Sequence, residues 1–489
     1  MDNLKVVKAK AGKFIGINTD GVNIWKGIKY AKTPIGKDRF TYSKKLDYID
    51  NYEAFEFKAI CPQNDHYDYI HDEDCLHLNI WANEKADKRP VLFYIHGGSF
   101  MGGTSREPYE EGSVLARERD VVVVTIEYRL NVFGMLDFSF LDDKFKPNCG
   151  IKDCIDALKW TYENIEYFGG DKDNITIMGE SAGGSIVSAL TNIDIAKPYI
   201  NKAIITSGIP ASFMTKEESI SVAKKYMEYM NISTKEELLN LDYRYIEKYI
   251  TGFTKYTNRG YSTYLPCIDK KLIKDIPIIQ VKNGDAKKIP MVVGMTKDEL
   301  CLLNLPSFDR AWNMQGLMEA GFKKEKGITI DRLEKFYRTF YGEKAWRGYF
   351  YSDAIIRTSL LWYAEEISDY MDIWVWRLDW SPNLMERLGV YSYHSSDLYY
   401  IFGNVDSMIG ARFMNIEEKI DAKLVSSQIQ DDLLEFLETD SLYWAKYSRE
   451  KPLAKCYDVD SFYGEIIPKA FMDIWKTTNY YNLVFKKED

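Results

Sequence analysis

The sequence predicts an α/β fold in which helices cover both faces of a mostly parallel sheet, and two observations carry this prediction. Between about residues 90 and 206, short runs of almost wholly apolar residues alternate with helical stretches. Strands of that composition are buried on both faces, as they are in parallel sheets. The 489 residues, of which 46% are apolar and 28% charged, also suffice for one large globular domain.

The apolar runs give the strands in chain order. Residues 6–9 and 22–30 are expected to form an N-terminal hairpin around a Gly/Asn/Asp turn, and a loop rich in Pro, Gly and Asp then runs to about residue 60. The strands predicted after that loop are 76–81, 91–95, 121–126, 175–178, 203–206, 289–294 and 373–377.

The helices predicted between the strands are 114–119, 155–168, one that begins at about residue 185, and a long one within 416–447. The clearest of them is 155–168, because Ile155, Leu158, Trp160 and Ile165 lie on or near one helical face.

Two helical stretches interrupt the alternation, near residues 212–288 and 303–371. The first contains no clear buried strand, and no repeat or domain-separating linker is evident along the chain. We therefore expect a single domain over residues 1–489, in which both stretches are insertions that cap the sheet and shape a pocket.

Charge and hydropathy exclude several classes of partner. A net charge of -9 argues against nucleic acid as a partner and provides no attraction to an anionic membrane surface. The longest apolar runs are too short to span a bilayer, and the N-terminus lacks the apolar core of a secretory signal. We expect a cytoplasmic protein, in which the seven irregularly spaced cysteines are mostly buried thiols.

The segment Gly-Glu-Ser-Ala-Gly-Gly at 179–184 lies between a predicted strand and a predicted helix. In that context Gly-x-Ser-x-Gly is typical of a nucleophilic serine, here Ser181, although a Gly-rich turn can also contain a serine by chance. The sharp turn lifts the hydroxyl clear of the sheet, and the glycines leave room for it. A serine hydroxyl is a weak nucleophile, so the chain must also supply a base, a carboxylate and oxyanion donors.

The candidate base is His394, because it is the only one of five histidines that follows Ser181 in the chain. A serine on a strand-to-helix turn of this kind is followed first by its acid and then by its base. The acid should lie after a core strand, where it can orient the imidazole. Asp298, Glu299 and Asp379 all meet that condition, and the pattern leaves the choice between them open.

An oxyanion hole is predicted from two Gly-rich loops. One backbone N–H should come from Ala182, the residue after the nucleophile. Others should come from residues 95–100 (Ile-His-Gly-Gly-Ser-Phe), which follow an early strand. Glycine in that loop lets the backbone approach a substrate without an intervening side chain.

Four further motifs precede the serine motif along the chain. They are Gly-Ile-Lys-Tyr-Ala at 27–31, Glu-Asp-Cys-Leu-His-Leu-Asn at 73–79, Tyr-Arg-Leu at 128–130 and Phe-Gly-Gly-Asp at 168–171. With the serine motif they resemble the type-B carboxylesterase/lipase family over nearly the whole chain. That family includes the cholinesterases and the bacterial para-nitrobenzyl esterases, and the bacterial branch is the most similar. The resemblance implies an α/β-hydrolase fold that needs no cofactor or metal.

The resemblance also implies a role for individual residues. Ser181 would be the nucleophile, His394 the base and Glu299, third in a Lys-Asp-Glu motif, the acid. The residues that match the family's oxyanion donors are Gly98, Ser99 and Ala182. Those that match positions supporting the triad are Glu180, Ser207 and Asp397.

Three structural pairings are implied as well: an ion pair of Arg39 with Glu73, an ion pair of Arg129 with Asp171, and a disulfide of Cys61 with Cys75. We expect the two thiols to be mostly reduced in the cytoplasm. The segment between them contains Tyr67 and Tyr69 but no tryptophan, so we do not expect a choline ester as the main substrate.

The chain departs from the family pattern at four positions, which are Ser99, Asn131, Leu300 and Ser395. None of these departures removes a reacting group, although Ser99 could alter the acyl side of the pocket. A cluster at 66–77 (His66, His71, Asp72, Glu73, Asp74 and His77) has no standard zinc spacing, so we predict no metal site there.

The sequence therefore predicts a serine carboxylesterase that acts on a small-molecule ester through an acyl-enzyme intermediate. Two alternatives remain. One is a non-catalytic, cholinesterase-like binding or adhesion protein, and the other is a thioesterase or amidase that uses the same three residues. The oligomeric state is left open.

Overall fold

The computed structural model describes residues 3–64, 68–305 and 330–477. Its strands, in chain order, are β1 Leu4–Lys8, β2 Gly12–Thr19, β3 Val22–Lys29, β4 Ile49–Glu53, β5 His77–Asn83, β6 Arg89–Ile95, β7 Val122–Ile126, β8 Gly170–Glu180, β9 Lys202–Thr206, β10 Met214–Thr215, β11 Cys267–Ile268, β12 Met291–Thr296, β13 Ile373–Leu378, β14 Leu453–Tyr457 and β15 Phe462–Glu465.

The α-helices among these residues are α1 Ser113–Glu118, α2 Asn131–Gly134, α3 Cys149–Asn164, α4 Ala182–Leu190, α5 Lys216–Tyr229, α6 Lys235–Asn240, α7 Tyr243–Thr257, α8 Pro277–Lys282, α9 Ile330–Tyr341, α10 Trp346–Tyr351, α11 Thr358–Ile367, α12 Asn383–Leu388, α13 Asp397–Ile401, α14 Ile416–Thr439 and α15 Lys469–Lys476. A π-helix, Ser352–Arg357, joins α10 to α11.

Thirteen of the described strands form one mixed sheet with the order β1-β2-β3-β5-β7-β6-β8-β9-β12-β13-β14-β15, in which β4 pairs with β2. All pairings from β7 to β14 along that order are parallel, and antiparallel strands complete both edges. The predicted α/β-hydrolase fold with a mostly parallel central sheet is thereby confirmed.

Helices cover both faces because the central strands are apolar throughout. Alternate residues of a strand point to opposite faces, so Phe93 and Leu92 of β6 enter two different hydrophobic cores. Leu158 of α3 packs in the first core, and Phe436 of α14 packs in the second. The predicted core strands all form, and their bounds lie within about two residues of the apolar runs except at the start of β8, which begins five residues earlier, at Gly170.

The prediction for the N-terminal hairpin is wrong in its pairing. Strand β1 pairs with β2, and it is β2 that forms the hairpin with β3. Strand β2 (Gly-Lys-Phe-Ile-Gly-Ile-Asn-Thr) was not predicted, because its glycines and polar residues interrupt the apolar alternation. Strand β4 in the predicted loop and the C-terminal hairpin of β14 with β15 were not predicted either.

Both predicted insertions are mainly helical where the structure describes them. The stretch 212–288 contains α5 to α8 together with the two-residue strands β10 and β11. Within 303–371 the structure describes α9 to α11 and the π-helix, while residues 306–329 lie outside the described residues. In the described ranges, no helix is long and apolar enough to cross a membrane.

Of the two implied ion pairs, one is confirmed and the other is wrong. Arg39 pairs with Glu73 at 2.5 Å and is almost fully buried. Arg129 pairs with Asp153 of α3 at 2.7 Å, whereas Asp171 accepts a hydrogen bond from the backbone N–H of Asp173. Arg129 follows the end of β7 and Asp171 begins β8. Because β7 and β8 run in the same direction, the end of β7 and the start of β8 lie at opposite ends of the parallel strands. The two side chains therefore cannot meet.

Cys61 and Cys75 are both buried free thiols in this structure. The backbone N–H of Leu130 donates a hydrogen bond to Sγ of Cys61 at 3.2 Å. Contact with Cys61, followed by burial, raises the pKa of the Cys75 thiol well above its ordinary value. Both thiols therefore lie within the packed core.

Candidate active site

Ser181 occupies a strained turn between the end of β8 and the start of α4. Its φ of 54° and ψ of -119° lie outside the regions that residues with a side chain normally adopt. The turn requires glycine nearby: a Cβ on Gly183 would lie 2.0 Å from the carbonyl oxygen of Ile95, and one on Gly179 would lie 2.4 Å from the backbone of Gly183. Because α4 packs this closely against β6, the turn that holds Ser181 lies at the carboxyl ends of the parallel strands.

His394 meets a carboxylate that follows β12. Its Nδ1 lies 2.6 Å from Oε2 of Glu299, and its backbone N–H donates to the carbonyl oxygen of Glu299 at 2.8 Å. The other two candidates face elsewhere. Asp298 accepts hydrogen bonds from Tyr349 and Ser392, and Asp379 pairs with Arg377. Among the three carboxylates that the sequence left open, Glu299 is therefore the one that contacts the imidazole.

Glu299 is fully buried, and both of its oxygens have donors. Oε1 accepts from the Ser207 hydroxyl at 2.6 Å and from the backbone N–H of Thr296 at 2.9 Å, which leaves Oε2 for His394. Such bonds hold a carboxylate in one orientation and offset the cost of burying it. The structure thus brings Ser207 into direct contact with Glu299.

A second carboxylate faces the other nitrogen of the imidazole. Nε2 of His394 lies 3.2 Å from Oε1 of Glu180, which also accepts a 2.7 Å hydrogen bond from the Ser395 hydroxyl. Burial alone lowers the pKa of His394, but the charges of Glu180 and Glu299 outweigh burial and raise that pKa to about 9. The imidazole is therefore held between two carboxylates.

Asp397 begins α13 and is 1% exposed. Neither of its carboxyl oxygens has a hydrogen-bond partner within the described ranges. Burial, followed by repulsion from Glu180 and Glu299, raises the pKa of this carboxyl well above its ordinary value. The structure places Asp397 near the imidazole, without a direct hydrogen bond to it.

The Gly-rich loop after β6 has an unusual backbone. Gly98, Ser99 and Phe100 have φ values of 111°, 56° and 57°, and a Cβ on Gly98 would lie 2.1 Å from the carbonyl oxygen of Gly102. The backbone N–H groups of Gly98, Ser99 and Ala182 donate to no acceptor in the described part of the chain. These three donors are therefore available to an external oxygen atom.

Two side chains that were not predicted to support this loop hold it in place. Gln63 bonds both backbone groups of Gly103, with its amide nitrogen 2.9 Å from the carbonyl oxygen and its amide oxygen 2.6 Å from the N–H. The amide of Asn131 donates to the carbonyl oxygens of Pro62 and Met101. Asn131 was noticed only as a departure from a glycine, and the sequence carried no signal for Gln63.

Ser181 and His394 line one cavity of about 520 Å³ together with the Gly-rich loop. Apolar side chains from the second insertion, Ile355 and Ile356, form part of its wall. The cavity is also lined by Glu107 and Glu110, which the sequence analysis did not single out because nothing about their spacing marks them. A separate cavity of about 660 Å³ has no histidine in its lining.

The acidic and histidine-rich cluster at 66–77 is engaged in protein contacts where it is described. His71 pairs with Glu247 at 2.9 Å, Asp74 pairs with Lys29, and burial lowers the pKa of His77 to about 4. His66 and Tyr67 lie outside the described residues. No group of three or more potential ligands in the described ranges is arranged to hold a metal ion.

The chain resembles a family of known proteins over most of its length. The model of the carboxylesterase family matches residues 3–441. The para-nitrobenzyl esterase of Bacillus subtilis (strain 168) is 31% identical over 472 residues, which cover 91% of this chain and 93% of the relative. Phenmedipham hydrolase of Pseudarthrobacter oxydans is 30% identical over 312 residues, which cover 60% of this chain and 61% of that protein.

Solved structures agree with these matches. A structure of para-nitrobenzyl esterase superimposes with a TM-score of 0.82 at 28% identity, covering 96% of this chain and 99% of the other. A carboxylesterase of Geobacillus stearothermophilus, solved at pH 6.2, superimposes with a TM-score of 0.83 at 28% identity and the same coverage. The structural similarity therefore extends over nearly the whole chain.

Proposed function

The chain is a carboxylic ester hydrolase that belongs to the carboxylesterase family, and we propose that it works through an acyl-enzyme formed on Ser181. One observation carries the proposal: the imidazole of His394, bonded to Glu299 at 2.6 Å, lines the same cavity as a serine on a strained turn. A base oriented by a carboxylate beside such a serine is the arrangement that activates a hydroxyl for acyl transfer.

In the first half of the reaction Oγ of Ser181 attacks the ester carbonyl carbon. Nε2 of His394 accepts the hydroxyl proton, and Glu299 stabilises the imidazolium through Nδ1 without itself becoming protonated. His394 then donates this proton to the departing alkoxide oxygen. The products of this half-reaction are a free alcohol and an ester of Ser181.

The tetrahedral intermediate carries a negative charge on the former carbonyl oxygen. We assign its donors to the backbone N–H groups of Gly98, Ser99 and Ala182, which have no acceptor in the described part of the chain. The positive φ values at Gly98 and Ser99 support this assignment, because a backbone fixed in that conformation needs no reorganisation when the charge develops.

In the second half of the reaction a water molecule takes the place of the alcohol. His394 removes a proton from the water as it attacks the acyl carbon, and the same proton returns to Oγ of Ser181 when the acid leaves. Glu180, Ser207 and Asp397 are assigned to supporting positions, since Ser207 bonds Glu299 directly and the other two carboxyls lie near the imidazole.

We further propose that the helical stretches near 212–288 and 303–371 are parts of one domain that shape the substrate pocket. Tyr261 in the first stretch and Ile355 and Ile356 in the second line the cavity that contains Ser181. The identity of the ester should therefore depend on these insertions more than on the sheet.

Hydrolysis of p-nitrophenyl acetate and p-nitrophenyl butyrate tests the mechanism. Wild-type protein should release p-nitrophenolate, and paraoxon should modify one serine per chain and abolish that activity. Ser181→Ala should fold with an unchanged melting temperature, lose the activity and resist labelling by paraoxon. Turnover by Ser181→Ala at the wild-type rate, or labelling of a different residue, would overturn the proposal.

A further inference from the structure

The cavity that contains Ser181 has more acidic than basic side chains in its described lining, where the basic residues are His96 and His394. Three carboxyl groups line it, those of Glu107, Glu110 and Glu180, and its lining includes neither lysine nor arginine. Low-dielectric walls of one charge sign concentrate the electric field inside a cleft and favour ligands of the opposite charge. The cavity is therefore suited to a positively charged group.

Glu110 stands out among the three carboxyl groups. It ends the short 3₁₀-helix Pro108–Glu110, is 2% exposed, and accepts a hydrogen bond at Oε1 from the Tyr94 hydroxyl at 2.9 Å. Its Oε2 has no hydrogen-bond partner within the described ranges. A buried carboxyl oxygen without a donor is costly, so this oxygen is a strong acceptor for a group that enters the cavity.

The electrostatic surroundings of Glu110 also favour a cation. Burial, followed by repulsion from Glu107, raises the pKa of Glu110 well above its ordinary value, and Glu180 and Glu127 add to that repulsion. The nearby carboxyl groups thus disfavour a negative charge on Glu110, and a cation that enters the cavity offsets this repulsion.

Glu180 is less free than Glu110 to bind a ligand. Oε1 of Glu180 already accepts from Ser395 and faces His394, so this group is committed to the imidazole. Tyr109 and Tyr261 line the same cavity and add aromatic surface, which attracts cations through the ring face. Glu110 is therefore better placed than Glu180 to receive a substrate.

We infer that this part of the cavity binds a protonated amine of the substrate, so that the enzyme prefers esters that carry an ammonium group with at least one N–H. The N–H donates to Oε2 of Glu110, while the ester group lies at Ser181. A quaternary ammonium group has no N–H to donate and is therefore a poorer ligand for this oxygen. The inference rests on the proposed function, because it names the substrate class of the same site.

Pairs of esters with the same shape and a different charge test the inference. On the alcohol side, 3-(dimethylamino)propyl butyrate is compared with 4-methylpentyl butyrate. On the acyl side, butyl 5-(dimethylamino)pentanoate is compared with butyl 6-methylheptanoate. Acid release is followed in a pH-stat at neutral pH, where the amines are protonated. We expect kcat/KM to be at least about tenfold higher for the amine in one or both pairs, since a buried acceptor discriminates against an analogue that lacks its donor.

The variant Glu110→Gln keeps the size of the side chain and the acceptor for Tyr94, but its amide cannot ionise to pair with a bound ammonium group. It should lower the ratio of kcat/KM between amine and neutral ester at least about fivefold. Glu118→Gln is the matched control, because it removes the same charge from an exposed helix position outside the cavity. That control should leave the ratio unchanged. If Glu110→Gln fails to fold, Glu107→Gln should lower the ratio in the same direction.

The outcomes separate this inference from the proposed function. If the wild-type protein hydrolyses the neutral esters and the ratio is close to one in both pairs, the inference is wrong and the proposed mechanism stands. A ratio that Glu110→Gln and Glu107→Gln leave unchanged also overturns the inference. Loss of all ester turnover in the wild-type protein would count against the proposed function itself.

Discussion

The hydroxyl of Ser395 donates a 2.7 Å hydrogen bond to the same oxygen of Glu180 that lies 3.2 Å from Nε2 of His394. Ser395 has a φ of 67°, so the chain turns sharply directly after the histidine and returns its side chain towards the serine motif. The residue that follows His394 therefore fixes the carboxylate that precedes Ser181. This contact ties the two sequence-distant halves of the site to each other.

The charge on Glu180 should set the pH dependence of the reaction. His394 must be neutral to accept a proton, so kcat/KM rises with pH as the imidazolium deprotonates. Because the pKa of His394 is raised to about 9, the rise should centre well above the ordinary histidine value of about 6.5. Glu180→Gln removes a carboxylate that raises this pKa, so the rise should move to lower pH by about one unit or more.

The profile is measured with p-nitrophenyl butyrate between pH 5.5 and 9.5, with subtraction of the uncatalysed rate. Ser395→Ala is the graded companion variant, because the Ser395 hydroxyl favours the ionised form of Glu180. It should shift the profile in the same direction by a smaller amount. Identical profiles for the wild type and Glu180→Gln would mean that Glu180 does not control the charge of His394.

Replacing each of the two adjacent acids after β12 by its amide should lower kcat by very different factors. Glu299→Gln presents an amide to Nδ1 of His394 and can favour the wrong imidazole tautomer, so kcat should fall about 10³- to 10⁴-fold. Asp298→Asn changes a residue that contacts Tyr349 and Ser392, and should lower kcat less than about tenfold. Steady-state kinetics on matched protein preparations decide the point, and a larger loss in Asp298→Asn would reverse the assignment.

The buried pair of Arg129 with Asp153 should matter for folding stability. Asp153→Asn leaves a buried guanidinium without its carboxylate and should lower the free energy of unfolding by about 3–5 kcal/mol. Asp171→Asn, at the position where the family resemblance placed the partner, should change it by less than about 0.5 kcal/mol. Urea unfolding followed by tryptophan fluorescence measures both values, and equal losses would argue against the pairing with Asp153.

Gly183 should tolerate no side chain. A Cβ there would lie 2.0 Å from the carbonyl oxygen of Ile95, and neither backbone can move without separating α4 from the sheet. Gly183→Ala should therefore cost more than about 3 kcal/mol or prevent folding. Gly464→Ala is the control, because the nearest atom to its Cβ is 3.2 Å away on the Phe462 side chain, and it should cost less than about 1 kcal/mol. The yield of folded protein and thermal unfolding distinguish the two variants.

Some structural elements could be predicted from the sequence and others could not. The central strands were predictable because burial on both faces demands a continuous apolar run, as in β6 and β7. Strands β2 and β15 contain glycine and polar residues, and β15 is almost wholly exposed at the end of the strand order, so their apolar pattern is weak. His394 was identified by elimination, which requires only the chain order of the histidines.

Other features depend on geometry that no local pattern carries. Asp298 and Glu299 are neighbours on one turn, and the direction of each side chain follows from the packing of β12 against β9 and β13. Glu110 is an ordinary residue in the sequence, and its burial becomes evident only when Tyr94 and the cavity are placed around it. The partner of Arg129 also depends on this three-dimensional packing, and the expected partner Asp171 lies at the opposite end of the parallel strands.

The order of the strands has a consequence for how ester hydrolysis should return during refolding. The Gly-rich loop, Ser181, Ser207 and Glu299 follow β6, β8, β9 and β12, which are neighbours in the sheet although about 200 residues separate the first from the last along the chain. Each contact across these strands closes a long loop, and such pairings form late and slowly in folding. Hydrolytic activity should therefore report completion of the whole central sheet, and no fragment that lacks β12 should hydrolyse esters, however much of the helical structure it retains.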